Sequence, residues 1–269
     1  MWGKISEKCF LDKYYLSVRA YILNMKIFGF VSSKNEKKFV HGTCNVLLGI
    51  AVLCIFALTI FVPILPQTAQ TFAPIYNGDR ESGKVSLMIN VYWVTEYLDD
   101  MLKTLGEEGV KTTFFVGGCW VAKNGEKLEK IYNLGHEIGN HGYNHKDHKK
   151  LSQEAQRREI ETTHKLVKSI IGTEMNLFAP PSGSYNKTTL SVASELGYKT
   201  IMWSRDTIDW RDKDSSLVLS RATKDIKAGD LILMHPTEHT SKALRDIIKT
   251  LKSKGLTVAT VSEVLGNKV

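Results

Sequence analysis

From residue 84 onward the chain alternates between two textures. Short apolar runs stand at 85–90 (VSLMIN), 112–116 (TTFFV), 137–140 (EIGN), 176–179 (NLFA), 199–203 (KTIMW), 231–235 (LILMH) and 257–260 (TVAT). Between most of them lies a stretch whose apolar residues recur at helical spacing. Residues 152–172 (SQEAQRREIETTHKLVKSIIG) are the clearest example. Ser152 is placed to cap the helix, Glu154 suits its first turn, and Ile160, Leu166, Val167, Ile170 and Ile171 form one stripe, with Gly172 as terminator. Seven strand-like runs alternating with helices predict an α/β domain built on a parallel sheet with crossover helices.

Polar residues fall repeatedly where those strands end. Asn90 closes the first run, His141 follows the third, Ala179-Pro180-Pro181 closes the fourth, Asp206 and Asp209 follow the fifth, and His235 closes the sixth. In β/α barrels the reactive residues gather at the carboxyl ends of the strands. The pattern therefore predicts a barrel-like domain with a site on that face.

The amino-terminal part reads differently. Residues 42–66 carry no charge, and a bilayer core is spanned by roughly 20 apolar residues. Lys34, Lys37 and Lys38 precede this run, and the segment after it is poor in Lys and Arg. The positive-inside rule then gives a cytoplasmic basic segment (1–41), a transmembrane anchor (42–66), a linker (67–83) and an extracytoplasmic domain (84–266) at the cell membrane. A cleavable signal peptide is the rival reading, but no A-x-A-type site follows the apolar run. For residues 9–32 two readings stand: an interfacial amphipathic segment, or a leader upstream of a true start at Met25.

Charge supports this division. Residues 1–66 hold eight Lys/Arg against three Asp/Glu, and the remainder holds 28 against 25. The basic excess belongs to the amino-terminal end, and no nucleic-acid footprint appears in the domain. Of Cys9, Cys44, Cys54 and Cys119, only the last lies in the domain, so no internal disulfide is expected there.

Three segments offer chemistry. GHEIGNHGYNHKDH places His136, His141, His145 and His148 close together, and one helical turn would bring His141 and His145 to the same side. Imidazole is a common zinc ligand, but catalytic zinc takes three protein ligands plus water, and a solvated surface patch is the alternative. In DTIDWRD (206–212), Asp209 is either an acid that orients a histidine or a helix cap, and Trp210 either stacks on a sugar or packs in the core. His235 at a strand end is either a general acid or a partner for a carbonyl. APPSGS (179–184) is a rigid turn that either shapes a groove or simply connects strand to helix.

In that order and spacing, KTTFFVGG, GHEIGNHGYNH, LFAPPSG, DTIDW and LILMH resemble the polysaccharide deacetylase family, the NodB-homology carbohydrate esterases, over roughly residues 74–266. MINVYW, APPSGS, DTIDW and ILMHPT look like a sporulation-associated subgroup. The resemblance implies a distorted (β/α)7 barrel that removes N-acetyl groups from a cell-wall glycan such as peptidoglycan. It implies a divalent metal, usually zinc, with His141 and His145 as ligands, His235 as the acid that protonates the leaving amine, and Asp209 tuning it. Trp210, Pro181 and Trp93 correspond to the substrate groove.

The same resemblance exposes three departures. The family's T-F-D-D-G corresponds to Met88, Ile89, Asn90, Val91 and Tyr92, so the catalytic base has become Asn90 and an acidic metal ligand has become Val91. The arginine that braces the base corresponds to Ala179. These losses form a set, because a brace left without its carboxylate would be a buried unpaired charge. Two functions follow: a membrane-anchored glycan N-deacetylase with a rearranged base, or a non-catalytic glycan-binding or scaffold protein using the same groove.

Overall fold

Strand β1 (Lys84–Val91) organises the domain, because three other strands pair with it in parallel. The computed structural model describes residues 73–93 and 95–266, together with Ile50. The chain divides into two units, 1–70 and 71–269. The expected basic segment, anchor and alternative start all fall in the first, outside the described residues save Ile50. Among the described residues no helix is long and apolar enough to cross a membrane.

The strands after β1 are β2 (Thr113–Val116), β3 (Glu137–Asn140), β4 (Leu177–Phe178), β5 (Lys199–Thr200), β6 (Arg205–Asp206), β7 (Leu231–Met234) and β8 (Thr257–Val258). Their order in the sheet is β5-β4-β3-β2-β1-β7-β6, with β8 pairing to β1, and all of these pairings are parallel. The α-helices among the described residues are α1 (Leu98–Glu107), α2 (Gly118–Val121), α3 (Gly125–Asn133), α4 (Gln153–Ile171), α5 (Lys187–Glu195), α6 (Ser215–Thr223), α7 (Glu238–Ser253) and α8 (Val261–Leu265).

Alternation along β1 explains both layers of core. Val85, Leu87, Ile89 and Val91 point one way and join the cluster that includes Leu244, Ile248 and Leu251 of α7. Met88 points the other way and packs with Phe115, Leu177, Ile201 and Leu231. Ser86 and Asn90 share the Met88 face, which carries the polar positions toward the site. Covering helices make such strands apolar on both faces, hence the near-continuous hydrophobic run at 85–89.

Helix α4 follows the expectation closely. Ser152 accepts a hydrogen bond from the Ala155 N–H, and Gly172 ends the helix at φ +69°. The fifth run departs from it. Residues 199–203 were expected as one strand, but the segment divides: β5 pairs with β4, then the chain bends at Met202–Ser204 and β6 pairs with β7. The bend is fixed by Met202 N–H donating to Ile75 O at 2.7 Å and Ser204 N–H donating to Leu231 O at 3.0 Å. The expected seven-unit barrel is therefore a curled parallel sheet of eight short strands, a half-barrel whose two ends both come from residues 199–206.

The expected linker also needs correction. Its described part is docked onto the domain and not free of it. Ile75 bridges Ile201, Gly78 N–H donates to Gly229 O at 2.7 Å, and Arg80 pairs with buried Asp230 at 2.6 Å. Gly78 is required there, because a Cβ would lie 2.2 Å from Val264 O.

Candidate functional site

The carboxyl ends of the strands open on a cleft of about 490 Å³. Asn90 and Trp93 reach it from the end of β1, and His141 and His145 from the loop after β3. Ser182, Trp203, Asp206 and Trp210 come from the segments after β4 and around β6, and Leu233 and His235 from β7. Sequence reasoning placed Asn90, Trp93, His141, His145, Trp210 and His235 as site candidates, and the fold brings all six to this cleft.

The histidine loop is not the helical turn expected. Gly142 and His145 both adopt positive φ, +70° and +52°, and the imidazole centroids of His141 and His145 lie 5.0 Å apart. Glu159 of α4 holds the loop: its carboxylate accepts from the N–H groups of Tyr143 (2.9 Å) and Asn144 (2.6 Å) and from the Asn144 side chain (3.1 Å). Asn140 holds the loop's other end, accepting from Gly142 N–H and donating to Ile160 O, each at 2.9 Å. His141 donates its Nδ1–H to Ala179 O at 2.7 Å, which leaves Nε2 as the lone-pair nitrogen. Burial, with His145 facing it, holds the His141 imidazole well below its usual basicity. Burial, with His235 facing it, lowers His145 as well.

The opposite wall is a buried pair. His235 and Asp209 meet at 2.8 Å through Nδ1 and Oδ1, and Asp209 Oδ2 also accepts from the His235 backbone N–H at 2.6 Å and from Thr240 Oγ1 at 2.5 Å. Asp209 is thus not a helix cap but the partner that orients His235. Trp210 is not core: it is 55% exposed at the cleft. Between the two walls stand Tyr92 and Trp93. Tyr92 stacks on His145 at 4.7 Å, and Trp93 stacks on His235 at 5.2 Å.

Pro181 departs from its expected place in the groove. It is buried within a one-turn 3-10 segment, Pro181–Gly183, and does not line the cleft. Ser182, at φ +53°, reaches the cleft instead. Sequence reasoning also missed Trp203, Thr240 and Glu159 as site residues. Thr240 carried no signal, because it is a polar residue of a helical first turn that contacts Asp209 only in three dimensions.

The residues present do not fit a resident zinc. Val91 is wholly buried in the helix-facing core and does not line the cleft. Asn90 is 4% exposed, and its Oδ1 has no hydrogen-bond partner. A neutral amide is a weak third donor beside two imidazoles, where a carboxylate is expected. Among the described residues no group of three His, Cys, Asp or Glu is arranged to hold a metal ion.

His136 and His148, the outer members of the same motif, lie outside the cleft. Both are buried. Burial pushes His136 down to about 4, with Lys111 adding to the effect. Burial also pushes His148 down to about 4, against the pull of Glu159 and Asp147. In the unfolded chain each titrates near 6.5, so the unfolded state binds more protons between about pH 6.5 and 4. Their contribution is complete above that window and is lost as pH falls through it, by about 3 kcal/mol for each. Urea unfolding at pH 7 and 4.5 measures the loss, and His148→Leu is expected to shrink it by about half. An unchanged loss in that variant would exclude His148 as its source.

A family model described as polysaccharide deacetylase matches residues 77–201. A Bacillus subtilis relative, "Uncharacterized protein YlxY", is 41% identical over 71% of this chain, and the alignment spans only 60% of that relative's length. A peptidoglycan-N-acetylglucosamine deacetylase of Bacillus cereus is 33% identical over 64% of this chain and 83% of its own. Among solved structures, wild-type BA3943 of Bacillus anthracis, described as a CE4 family pseudoenzyme, superposes with TM-score 0.71 at 37% identity, covering 73% of this chain and 70% of that one. A BA3943 mutant is described as having restored enzymatic activity. At this identity and coverage, with the matched segment running from the docked amino-terminal strap to β5, the chain belongs to the polysaccharide deacetylase family.

Proposed function

We propose that the chain is an extracytoplasmic glycan-binding protein, held at the cell membrane by residues 42–66, that uses the deacetylase cleft without the deacetylase reaction. The single observation that carries this reading is the divided site. The wall formed by Asp209, His235 and Trp210 is intact, whereas the base position is Asn90 and the ligand position Val91 is packed into core. An amide cannot take a proton as a carboxylate does near neutral pH, and a positioned base contributes about 10²–10⁴ in rate. The description of BA3943 as a pseudoenzyme supports the same reading by likeness. Relatives named as peptidoglycan deacetylases support peptidoglycan as the glycan. The sporulation setting rests on motif resemblance alone.

A working hydrolase is the second reading. It is favoured by one observation, that His141, His145, Asp209 and His235 all remain around one cleft. The set of groups it requires is short of one carboxylate ligand and one base.

Binding to muropeptide-derived oligosaccharides, measured calorimetrically on the full chain, tests the first reading. Trp210→Ala is expected to weaken binding by about tenfold, the loss of an aromatic platform worth about 1.4 kcal/mol. Its Tm should stay within about 2 °C, because the ring is exposed and carries little of the fold. Unaltered binding in Trp210→Ala would remove that residue from the groove.

A further inference from the structure

We infer that the cleft selects amino sugars whose nitrogen is free, the de-N-acetylated form of the glycan, over the N-acetylated form. The inference rests on the glycan-binding reading above and names the chemical form that is bound. It comes from the inventory of donors and acceptors in the cleft. Asn90 presents a buried Oδ1 with no partner. His141 has committed its Nδ1–H to Ala179 O, so its Nε2 is an acceptor. Asp206 uses Oδ1 for the Ile208 N–H at 2.8 Å, leaving Oδ2. These three acceptors come from three different elements and line the same cleft.

Among the described residues no Lys or Arg lines that cleft. Arg211, beside Trp210, is engaged by both oxygens of Asp212 at 2.8 and 3.1 Å and also feels the Asp206 carboxylate, without itself lining the cleft. The tryptophans 93, 203 and 210 add aromatic faces, two of them about half exposed. A cleft that combines unpaired acceptors, one carboxylate and aromatic faces, with no cation among its described lining residues, is complementary to an ammonium group. The ammonium supplies N–H donors to the acceptors, a charge to Asp206, and a cation for the ring faces. An acetamide at the same place offers one N–H and a carbonyl that meets no cation.

The test uses two probes, the β-1,4-linked glucosamine tetramer and its fully N-acetylated counterpart, titrated calorimetrically into the full chain kept in solution with detergent. The glucosamine tetramer should bind at least tenfold more tightly. Asp206→Asn and, separately, Asn90→Leu should each reduce that preference severalfold, with the fold checked by Tm; two variants from different strands keep the test open if one fails to fold. Equal or tighter binding of the acetylated tetramer would overturn the inference and leave the glycan-binding reading standing. Binding of neither tetramer would overturn both. A preference unchanged in both folded variants, or equal binding of spermine, would also overturn it, since the selectivity would then owe nothing to this cleft.

Discussion

Changing Asn90 and Val91 together to aspartate is expected to give the chain stoichiometric zinc binding and zinc-dependent acetate release from an N-acetylated glycan, neither of which the proposed reading expects of the unaltered protein. Asn90 already lines the cleft, so a carboxylate there gains a proton-accepting role without moving the backbone. Val91 is the last residue of β1 and pairs in register with Val116, whose carbonyl accepts the His141 N–H at 3.0 Å. By its correspondence with the family's first motif, position 91 is that of the acidic ligand, and a carboxylate there has to turn from the helix-facing core toward the two imidazoles. Aspartate there completes the count of three protein ligands that catalytic zinc takes, and bound zinc lowers the pKa of its water to about 7.

The same change has a cost that provides an independent readout. Val91 is wholly buried among apolar side chains. A carboxyl group placed there without a partner costs about 3 kcal/mol, or about 6–12 °C in Tm for a domain of this size. Zinc should restore most of that loss in the double variant and none in Val91→Ala. If zinc neither binds nor raises Tm, Val91 does not occupy a ligand position, and the correspondence with the family's first motif is wrong.

The second large effect concerns Asp209. Its carboxylate is 2% exposed and accepts from the His235 backbone, the His235 ring and the Thr240 hydroxyl. Asp209→Ala leaves three buried polar groups unpaired, at about 1–3 kcal/mol each before relaxation. A net loss near 4 kcal/mol corresponds to about 8–16 °C in Tm. Thr240→Val removes only one of the three contacts and should cost about 1 kcal/mol. In the restored double variant, Asp209→Ala is further expected to reduce acetate release by about 10²–10⁴, because His235 loses the group that orients it as acid. A Tm change under 3 °C would mean that Asp209 is not the hub the geometry makes it.

Much of this was legible in the residues. The apolar runs located every strand of the sheet but β6, and strand-end polarity pointed to the face on which the cleft opens. The cap at Ser152 and the stop at Gly172 followed from local chemistry that needs no tertiary context. What could not be read depends on tertiary contact. The division of residues 199–206 between two partners is decided by Ile75 and Leu231, far away in sequence. The inward turn of Pro181 and the outward turn of Ser182 depend on a positive φ at a serine, which propensity does not announce. His141 and His145 meet across a non-helical loop because Glu159 gathers the loop's N–H groups, a role invisible in a helix read only for its apolar stripe. The choice between cap and acid for Asp209, and between core and groove for Trp210, required burial and partners.

In the proposed reading this cleft binds glycan and does not hydrolyse it. The most direct measurement is acetate release from wall glycan and N-acetylglucosamine oligomers by the full chain in the presence of zinc, beside a His141→Ala control. Release no greater than in the control is expected on that reading, from a protein that retains the glycan in the same sample. Acetate formed by the unaltered chain and abolished by His141→Ala would contradict it.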